Sequence, residues 1–411
     1  MPSKTLIEAA AVDIAFAAAA QRVRDAVAAV AAAEDAAALA EEGITVEHGQ
    51  ARIVARDKVD VGGRVFCTSR LVVTVGSRPA APPIPGLAEL GYLTTDTVFD
   101  LTELPGSLLV LGGGAVGCEL AQAFAAFGAT VTVVEAAPRL LPDEDPDASA
   151  VVAHVFAQQG IAVYVAATVV EATHEHGRPA LRLADETVLT GDRLLVATGR
   201  KPSTDQLGLG SVGVQLDGRG FVVVDDHMAT TAGGIYAAGD VVGRLNLTHA
   251  ADEMARVAAT NALPRRNHAS FDGSTVPRVV FTDPEVAQVG MTEDEAAARD
   301  GTVLYLPMTD VDRAITAGRT EGFVKLITGK ATLTGGIGGG RVLGATIVAP
   351  RAGEMIHEPT LAMRTRMFAG RLAQATHAYP TWSHALQLAA AQQFGYGHRR
   401  PYPAGTHGRT D

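Results

Sequence analysis

Three glycines, Gly112, Gly114 and Gly117, stand between the apolar run Leu108-Leu109-Val110-Leu111 and an Ala-rich stretch. A second apolar run, Val131-Thr132-Val133-Val134, then ends on Glu135. Each part of this pattern has a physical task in holding a dinucleotide. Gly112 permits a tight turn, Gly114 lets the backbone approach a pyrophosphate, and Gly117 lets the following helix pack closely on the strand. The helix that starts there would turn its N–H groups and positive dipole end to the phosphates. Glu135, ending the second strand, is placed to accept hydrogen bonds from a ribose diol. A glycine turn alone is common; with both strands, the spacing and the terminal carboxylate it becomes specific. Glu135 also favours NADH over NADPH, because a 2′-phosphate at ~4 Å would be repelled by on the order of 4 kcal/mol at an effective dielectric of about 20. Arg139 could receive such a phosphate, but the neighbouring Asp143, Glu144 and Asp145 are expected to offset it.

The elements that must position these residues follow from periodicity. A helix after Asp147 and a strand at Ala162-Val163-Tyr164-Val165 continue the alternation of a parallel sheet, so the class is α/β. Ahead of it, residues 5–41 are dominated by Ala without Pro or Gly, which predicts a helix with Gly43 as its C-cap. Short strands follow, ending at Leu71-Val72-Val73-Thr74-Val75, then Gly76-Ser77-Arg78-Pro79 and a Pro-rich linker through Pro85. Residues 221–262 return to strand, turn and helix around Gly234-Ile235-Tyr236-Ala237-Ala238-Gly239-Asp240. From about residue 275, strand-like runs cluster ahead of helices expected at 353–369 and 382–394, the pattern of a separate α+β domain. The last residues, 396–411, read as a disordered tail.

Composition sets outer bounds. The chain has 411 residues, 47% hydrophobic and 19% charged, with a net charge of −11. It therefore reads as a soluble, acidic globular protein of two or three domains, with neither nucleic acid nor an anionic membrane as main partner. No stretch reaches the ~18 apolar residues of a spanning helix. Two distant cysteines, Cys67 and Cys118, form no disulfide framework, which suits the cytoplasm, and both read as small core residues.

Several motifs agree in order: the unit at 108–135, Val196-Ala197-Thr198-Gly199-Arg200-Lys201-Pro202, Gly234 to Asp240, and Pro277-Arg278-Val279-Val280-Phe281-Thr282-Asp283-Pro284-Glu285. Together they resemble the FAD-dependent pyridine nucleotide-disulfide oxidoreductases, the group of dihydrolipoamide dehydrogenase, glutathione reductase and mercuric reductase. Val311-Asp312-Arg313-Ala314 and Tyr379-Pro380-Thr381 look most like the mercuric-reductase branch. The resemblance implies two Rossmann-like dinucleotide-binding domains, that for FAD incomplete and interrupted by that for NAD, plus a C-terminal α+β dimerisation domain. The expected division is 1–85 and 206–274 for FAD, 86–205 for NAD(P) and 275–395 for homodimerisation.

The resemblance also implies roles. Asp240 matches the acid that contacts the ribityl or phosphate region of FAD, with a helix N-cap as its plainer reading. The helix opening at Thr248-His249-Ala250 would aim its N-terminus at the flavin pyrimidine edge, stabilising the anionic reduced ring. Gly76, Gly199 and Gly239 fall in cofactor-binding turns. Lys4 and Glu119 match a Lys–Glu pair beside the flavin N5; a first-turn carboxylate favoured by the helix dipole is the alternative for Glu119. Nicotinamide would pass hydride through FAD to a disulfide, metal or quinone-type acceptor. No metal site is expected in the protein itself.

Two departures qualify that expectation. In the family, Pro-Ser-Lys follows a C-x-x-x-x-C redox stretch and a first glycine-rich unit, whereas this sequence opens at Met1-Pro2-Ser3-Lys4. The expectation is a truncated or mis-assigned start, with FAD held poorly by the chain as written. The competing reading is an inactive, nucleotide-binding homodimer. At the other end, family members carry a His followed five residues on by Glu, offered to the partner subunit as an acid–base pair. Here Tyr379 and His384 stand at those positions, either as a proton-moving pair or as a packing residue and an exposed helix residue. The tail also lacks the cysteine pair with which mercuric reductases capture metal, which argues against mercury reduction.

Overall fold

The computed structural model describes residues 16–32, 34–263, 269–299, 301–330 and 338–395. Lys4 and the expected tail at 396–411 lie outside them. The chain divides into two units, one holding residues 105–194 with 274 onward, the other 14–104 with 195–273.

In the first unit, Ser107–Leu111, Thr130–Val134 and Ala162–Tyr164 run parallel in a four-stranded sheet completed by Arg193–Val196 beside Ser107–Leu111. Four of the five residues of Ser107–Leu111 and three of the five of Thr130–Val134 are buried, as strands covered on both faces require. Helix Ala115–Ala126 joins the first two strands, and Pro146–Gln158 the second and third. Asp145 caps the latter, accepting from the Asp147 N–H at 2.8 Å, with Pro146 at the first helical position where its missing N–H costs nothing. An antiparallel hairpin sheet, Val169–Glu175, Arg178–Leu183 and Val188–Thr190, follows.

The C-terminal half of this unit is an antiparallel five-stranded sheet ordered Arg278–Val280, Glu285–Gly290, Val342–Ala349, Phe323–Thr328, Thr302–Pro307. Its core includes Val289, Leu304, Leu326 and Ile347, packed against Leu372, Leu386 and Ala389 of the helices behind. The α/β class with an added α+β domain is what the sequence predicts. The single helix expected at 353–369 is instead the short helices Ala352–Met355 and His357–Arg364, the latter followed by Arg366 at φ 54°, a left-handed turn that stops it.

The second unit begins with helices Phe16–Ala32 and Ala36–Glu41, the break falling where the Asp35 side chain caps the second helix. Gly43, at φ 79°, closes it with a paired motif: its N–H bonds the Ala40 carbonyl and that of Ile44 the Leu39 carbonyl. An antiparallel meander, Ala51–Ala55, Lys58–Val61 and Arg64–Cys67, comes next. Leu71–Val73 then pairs in parallel with Ile235–Ala237, and Ser77–Pro79 antiparallel with Arg200–Pro202. Helix Thr248–Ala262 follows. Among the described residues, no helix is long and apolar enough to cross a membrane.

A buried ion cluster lies inside the first unit. Lys325 lies in strand Phe323–Thr328, whose six residues are all buried, and is 1% exposed. Its Nζ sits 2.8 Å from Asp145 Oδ2, Asp147 Oδ2 and Glu293 Oε2. Burial alone would lower the lysine pKa, but Asp145 and the other hydrogen-bonded carboxylates outweigh it and raise it well above normal. Replacing Lys325 by Ala leaves three carboxylates facing one another without a cation. Urea unfolding should show a loss of about 3–5 kcal/mol; a loss below about 1 kcal/mol would mean that water already neutralises the cluster.

Candidate functional site

The glycine turn is shaped by sterics that only glycine satisfies. Gly112 has φ 112°, and a Cβ on Gly117 would lie 1.9 Å from the Gly112 carbonyl oxygen. Helix Ala115–Ala126 can therefore press onto the strand only with hydrogen at Gly117. A Cβ on Gly114, the N-cap, would meet nothing within 4 Å, and no side chain caps the helix. The turn thus offers open space beside a helix N-terminus, the cradle a pyrophosphate needs.

Glu135 closes the cradle. Its Oε2 accepts from the Gly113 N–H at 2.5 Å and its Oε1 from the Ala137 N–H at 2.6 Å. Each carboxylate oxygen keeps a further acceptor position, so the side chain is fixed in place and can still receive ribose hydroxyls. Arg139 is held differently from expectation. Its guanidinium donates to the backbone carbonyls of Pro142 and Glu144, at 2.6–3.0 Å. Two of the three acids expected to offset it are engaged elsewhere, Glu144 with Arg278 and Asp145 with Lys325.

Glu119 does not sit in the helix's first turn, which contains no acid. One turn further in, it accepts from the Phe281 N–H at 2.8 Å. Burial raises its pKa, and the Phe281 hydrogen bond opposes that rise. Three residues on, Gln122 both accepts from the Asp283 N–H at 2.7 Å and donates to the Asp283 carbonyl at 2.8 Å. Two side chains one turn apart thus grip an extended segment like the edge of a strand, a feature the sequence reading missed. Lys4, the expected partner of Glu119, is outside the described residues.

Cys118 is fully buried and its thiol contacts the Gly113 carbonyl at 3.2 Å. Burial, then the nearby Glu135 and Glu119 charges, push its pKa up to about 12, so it is an inert core residue. Cys67 is exposed, not a core residue as expected: it lies in the short strand Arg64–Cys67, three of whose four residues face water.

In the second unit, Asp240 is not an N-cap. The short 3-10 turn Gly239–Val242 is capped by Ala238, and Gly239 takes φ 79°. Asp240 Oδ2 instead accepts from the Ser77 hydroxyl at 2.7 Å and faces Arg200 Nε at 3.3 Å. Arg200 in turn donates to the Ser77 hydroxyl and carbonyl, at 2.6 and 2.8 Å. Ser77 and Arg200 were not singled out from sequence, although each directly follows a glycine that was. Gly76 (φ 67°) and Gly199 (φ 147°) stand just ahead of the paired strands, each with open space where a Cβ would be. Thr248 and His249 are exposed and Ala250 buried, in a helix start whose N-cap, Leu247, gives no side-chain cap.

Tyr379 and His384 do come together. Their rings meet edge-on at 5.9 Å between centroids. Tyr379 is 67% exposed and His384 half-buried, so the bland assignment of packing tyrosine and exposed histidine does not describe them. Among the described residues no cluster of His, Cys, Asp and Glu is arranged to hold a metal ion.

This turn, the paired glycine loops and the antiparallel C-terminal domain define a dinucleotide-dependent oxidoreductase architecture. The chain belongs to the pyridine nucleotide-disulphide oxidoreductases, a family dependent on FAD and NAD(P)H: its family model matches residues 1–255 and that of the family's dimerisation domain residues 276–390. It is 33% identical to a mercuric reductase of Bacillus cereus, over 84% of this chain and 54% of that protein. It is 38% identical to one of Shewanella putrefaciens, over 78% and 56%. The chain thus spans little more than half the length of these curated relatives. The Cu(II) complex of the HOCl-induced flavoprotein disulfide reductase RclA from Escherichia coli superposes with a TM-score of 0.84 at 31% identity, over 94% of this chain and 88% of that one.

The raised pKa of Glu119 gives a signed expectation. A carboxyl that holds its proton more tightly when folded costs stability as pH rises through the window from its unfolded to its folded pKa. Glu119→Gln keeps an oxygen for the Phe281 N–H and removes the charge. Its thermal midpoint should exceed that of the parent at pH 7, with the difference closing as pH falls below that window. A difference independent of pH would show that Glu119 does not titrate there.

Proposed function

We propose that this protein is a cytoplasmic, homodimeric NADH oxidoreductase that carries FAD and delivers electrons to a disulfide, metal ion or quinone-type acceptor. The Glu135 carboxylate, held 2.5 Å from the Gly113 N–H over an open glycine cradle, is the observation that carries this reading. We assign residues 86–205 to NADH, 1–85 and 206–274 to FAD, and 275–395 to dimerisation.

FAD, when bound, relays two electrons from the nicotinamide to the acceptor. The chain's own residues bind and orient. The N–H groups at Gly114 and the helix behind it receive the NADH pyrophosphate, with Gly112 and Gly117 keeping the approach clear. Glu135 takes the ribose hydroxyls. The Asp240, Ser77 and Arg200 network supports the ribityl end of the flavin, with Gly76, Gly199 and Gly239 shaping the backbone around it. The N-terminus at Thr248, His249 and Ala250 favours negative charge at the flavin pyrimidine edge. Glu119, and Lys4 with it, belong at the hydride-transfer edge. Tyr379 and His384, presented to the partner subunit, hold or move the protons that acceptor reduction consumes.

Purified protein saturated with excess FAD, as the expected weak binding requires, should turn yellow and be bleached anaerobically by NADH; failure to take up flavin even then would favour a nucleotide-binding protein without catalysis. NADH should exceed NADPH in kcat/KM by about tenfold or more, since a difference near 1.4 kcal/mol is enough. Glu135→Ala should narrow that ratio, and a parent preference for NADPH would refute the assignment. The dimerisation segment should form an isologous two-fold contact. Light scattering should therefore give twice the chain mass at micromolar concentration, and a folded monomer there would contradict it.

A further inference from the structure

The segments Val311-Asp312-Arg313-Ala314 and Tyr379-Pro380-Thr381, far apart in sequence, meet through one hydrogen bond. The Tyr379 hydroxyl donates to Asp312 Oδ2 at 2.8 Å. Asp312 opens helix Asp312–Ala317, and Arg313 beside it lies 5.8 Å over the Trp382 ring. The loop carrying Tyr379 is anchored two residues earlier. There His377 Nε2 lies 3.1 Å from both carboxylate oxygens of Glu358, and its Nδ1 2.9 Å from the Ala375 carbonyl. His384, on the helix that follows, meets the tyrosine ring edge-on. Asp312 and His384 contact this tyrosine directly, and Arg313, His377 and Glu358 are the further charged or titratable groups on the contacts that hold the two segments.

A phenol has one proton to donate and lone pairs with which to accept. Here the proton is committed to Asp312 while the ring remains exposed. We infer that Asp312 is a positioning residue for the proposed reaction, fixing the Tyr379 hydroxyl as a hydrogen-bond acceptor for a protonated group of the substrate, such as a thiol. The hydrogen bond to Asp312 and its negative charge also push the Tyr379 pKa above its ordinary value, so the phenol stays neutral at physiological pH. Tyr379 therefore meets its substrate as a neutral acceptor and not as an anionic ligand. Its role in turnover rests on the oxidoreductase reading; its orientation does not.

Phenolate absorbance against pH tests the orientation without turnover. Subtracting the Tyr379→Phe curve from the parent isolates Tyr379, and the same subtraction in an Asp312→Asn background isolates it without the carboxylate. The Tyr379 transition should move to lower pH in Asp312→Asn, and likewise in Asp312→Ser. A midpoint unmoved in both variants overturns the proposal. For turnover, with a dithiol substrate reducing NAD+, Asp312→Asn should lower kcat/KM in the parent but not in Tyr379→Phe. Equal losses in both would make Asp312 merely structural and overturn its positioning role. If the parent does not oxidise NADH at all, it is the oxidoreductase reading that fails, and the titration still decides the orientation.

Discussion

The first unit depends on a single buried cation. Lys325 gathers Asp145 and Asp147 from the start of one helix and Glu293 from the start of another, all within 2.8 Å. Two of these acids lie in the segment that follows strand Thr130–Val134, the third in the C-terminal domain. A charge so deeply buried is tolerated only when its hydrogen-bonding capacity is filled, and three carboxylates fill the three donors of an ammonium. Arg278 reinforces the same junction, its guanidinium 3.3 Å from Glu144. The stretch 143–147 is therefore pinned by two cations from the C-terminal half. The Arg139 loop is fixed by its own carbonyls just ahead of it.

That pinning reaches the nucleotide turn through the neighbouring contacts. Leu140 is buried beneath Gly113, where an added Cβ would come within 2.7 Å of it, and the Leu141 N–H bonds the Gly113 carbonyl. On the other side of the turn, Glu119 and Gln122 hold the 281–283 segment from helix Ala115–Ala126. The glycine cradle is thus held from both flanks by contacts within the protein. Preorganisation of this kind lets a site spend its binding energy on the ligand and not on ordering itself.

Much of this was legible where the information is local. The glycine spacing, the apolar runs and the terminal Glu135 lie within one short unit, and the strand and helix assignments there follow from it. What sequence reading missed is long-range pairing. Lys325 and Asp145 are far apart in the chain, as are Ser77 and Asp240, and nothing in spacing joins them. A signal existed for Lys325, a lone charge in the apolar run Phe323-Val324-Lys325-Leu326-Ile327; such a residue requires a buried partner. The alternative reading of Glu119 as a first-turn carboxylate fails because its helix begins at Ala115, putting it past the turn where the dipole acts. Cys67 was misjudged because residue type, and not the exposed short strand around it, decided the expectation.

The acidic balance of the chain illustrates why charge count and site chemistry diverge. Acids at 144, 145, 147, 283 and 293 are each engaged with Arg278, Lys325 or Arg319 inside the first unit. They hold the fold and are not offered to a ligand. Glu135 differs in kind, because its partners are two backbone N–H groups and not a cation. Its negative charge is therefore left uncompensated by any ion pair described in the structure, at the position where a ribose would lie. A hydroxyl arriving there finds a strong acceptor, whereas a phosphate finds a like charge fixed in place by the same turn that would bind the rest of the nucleotide. On the proposed reading, discrimination between two nearly identical cofactors follows from how one carboxylate is held.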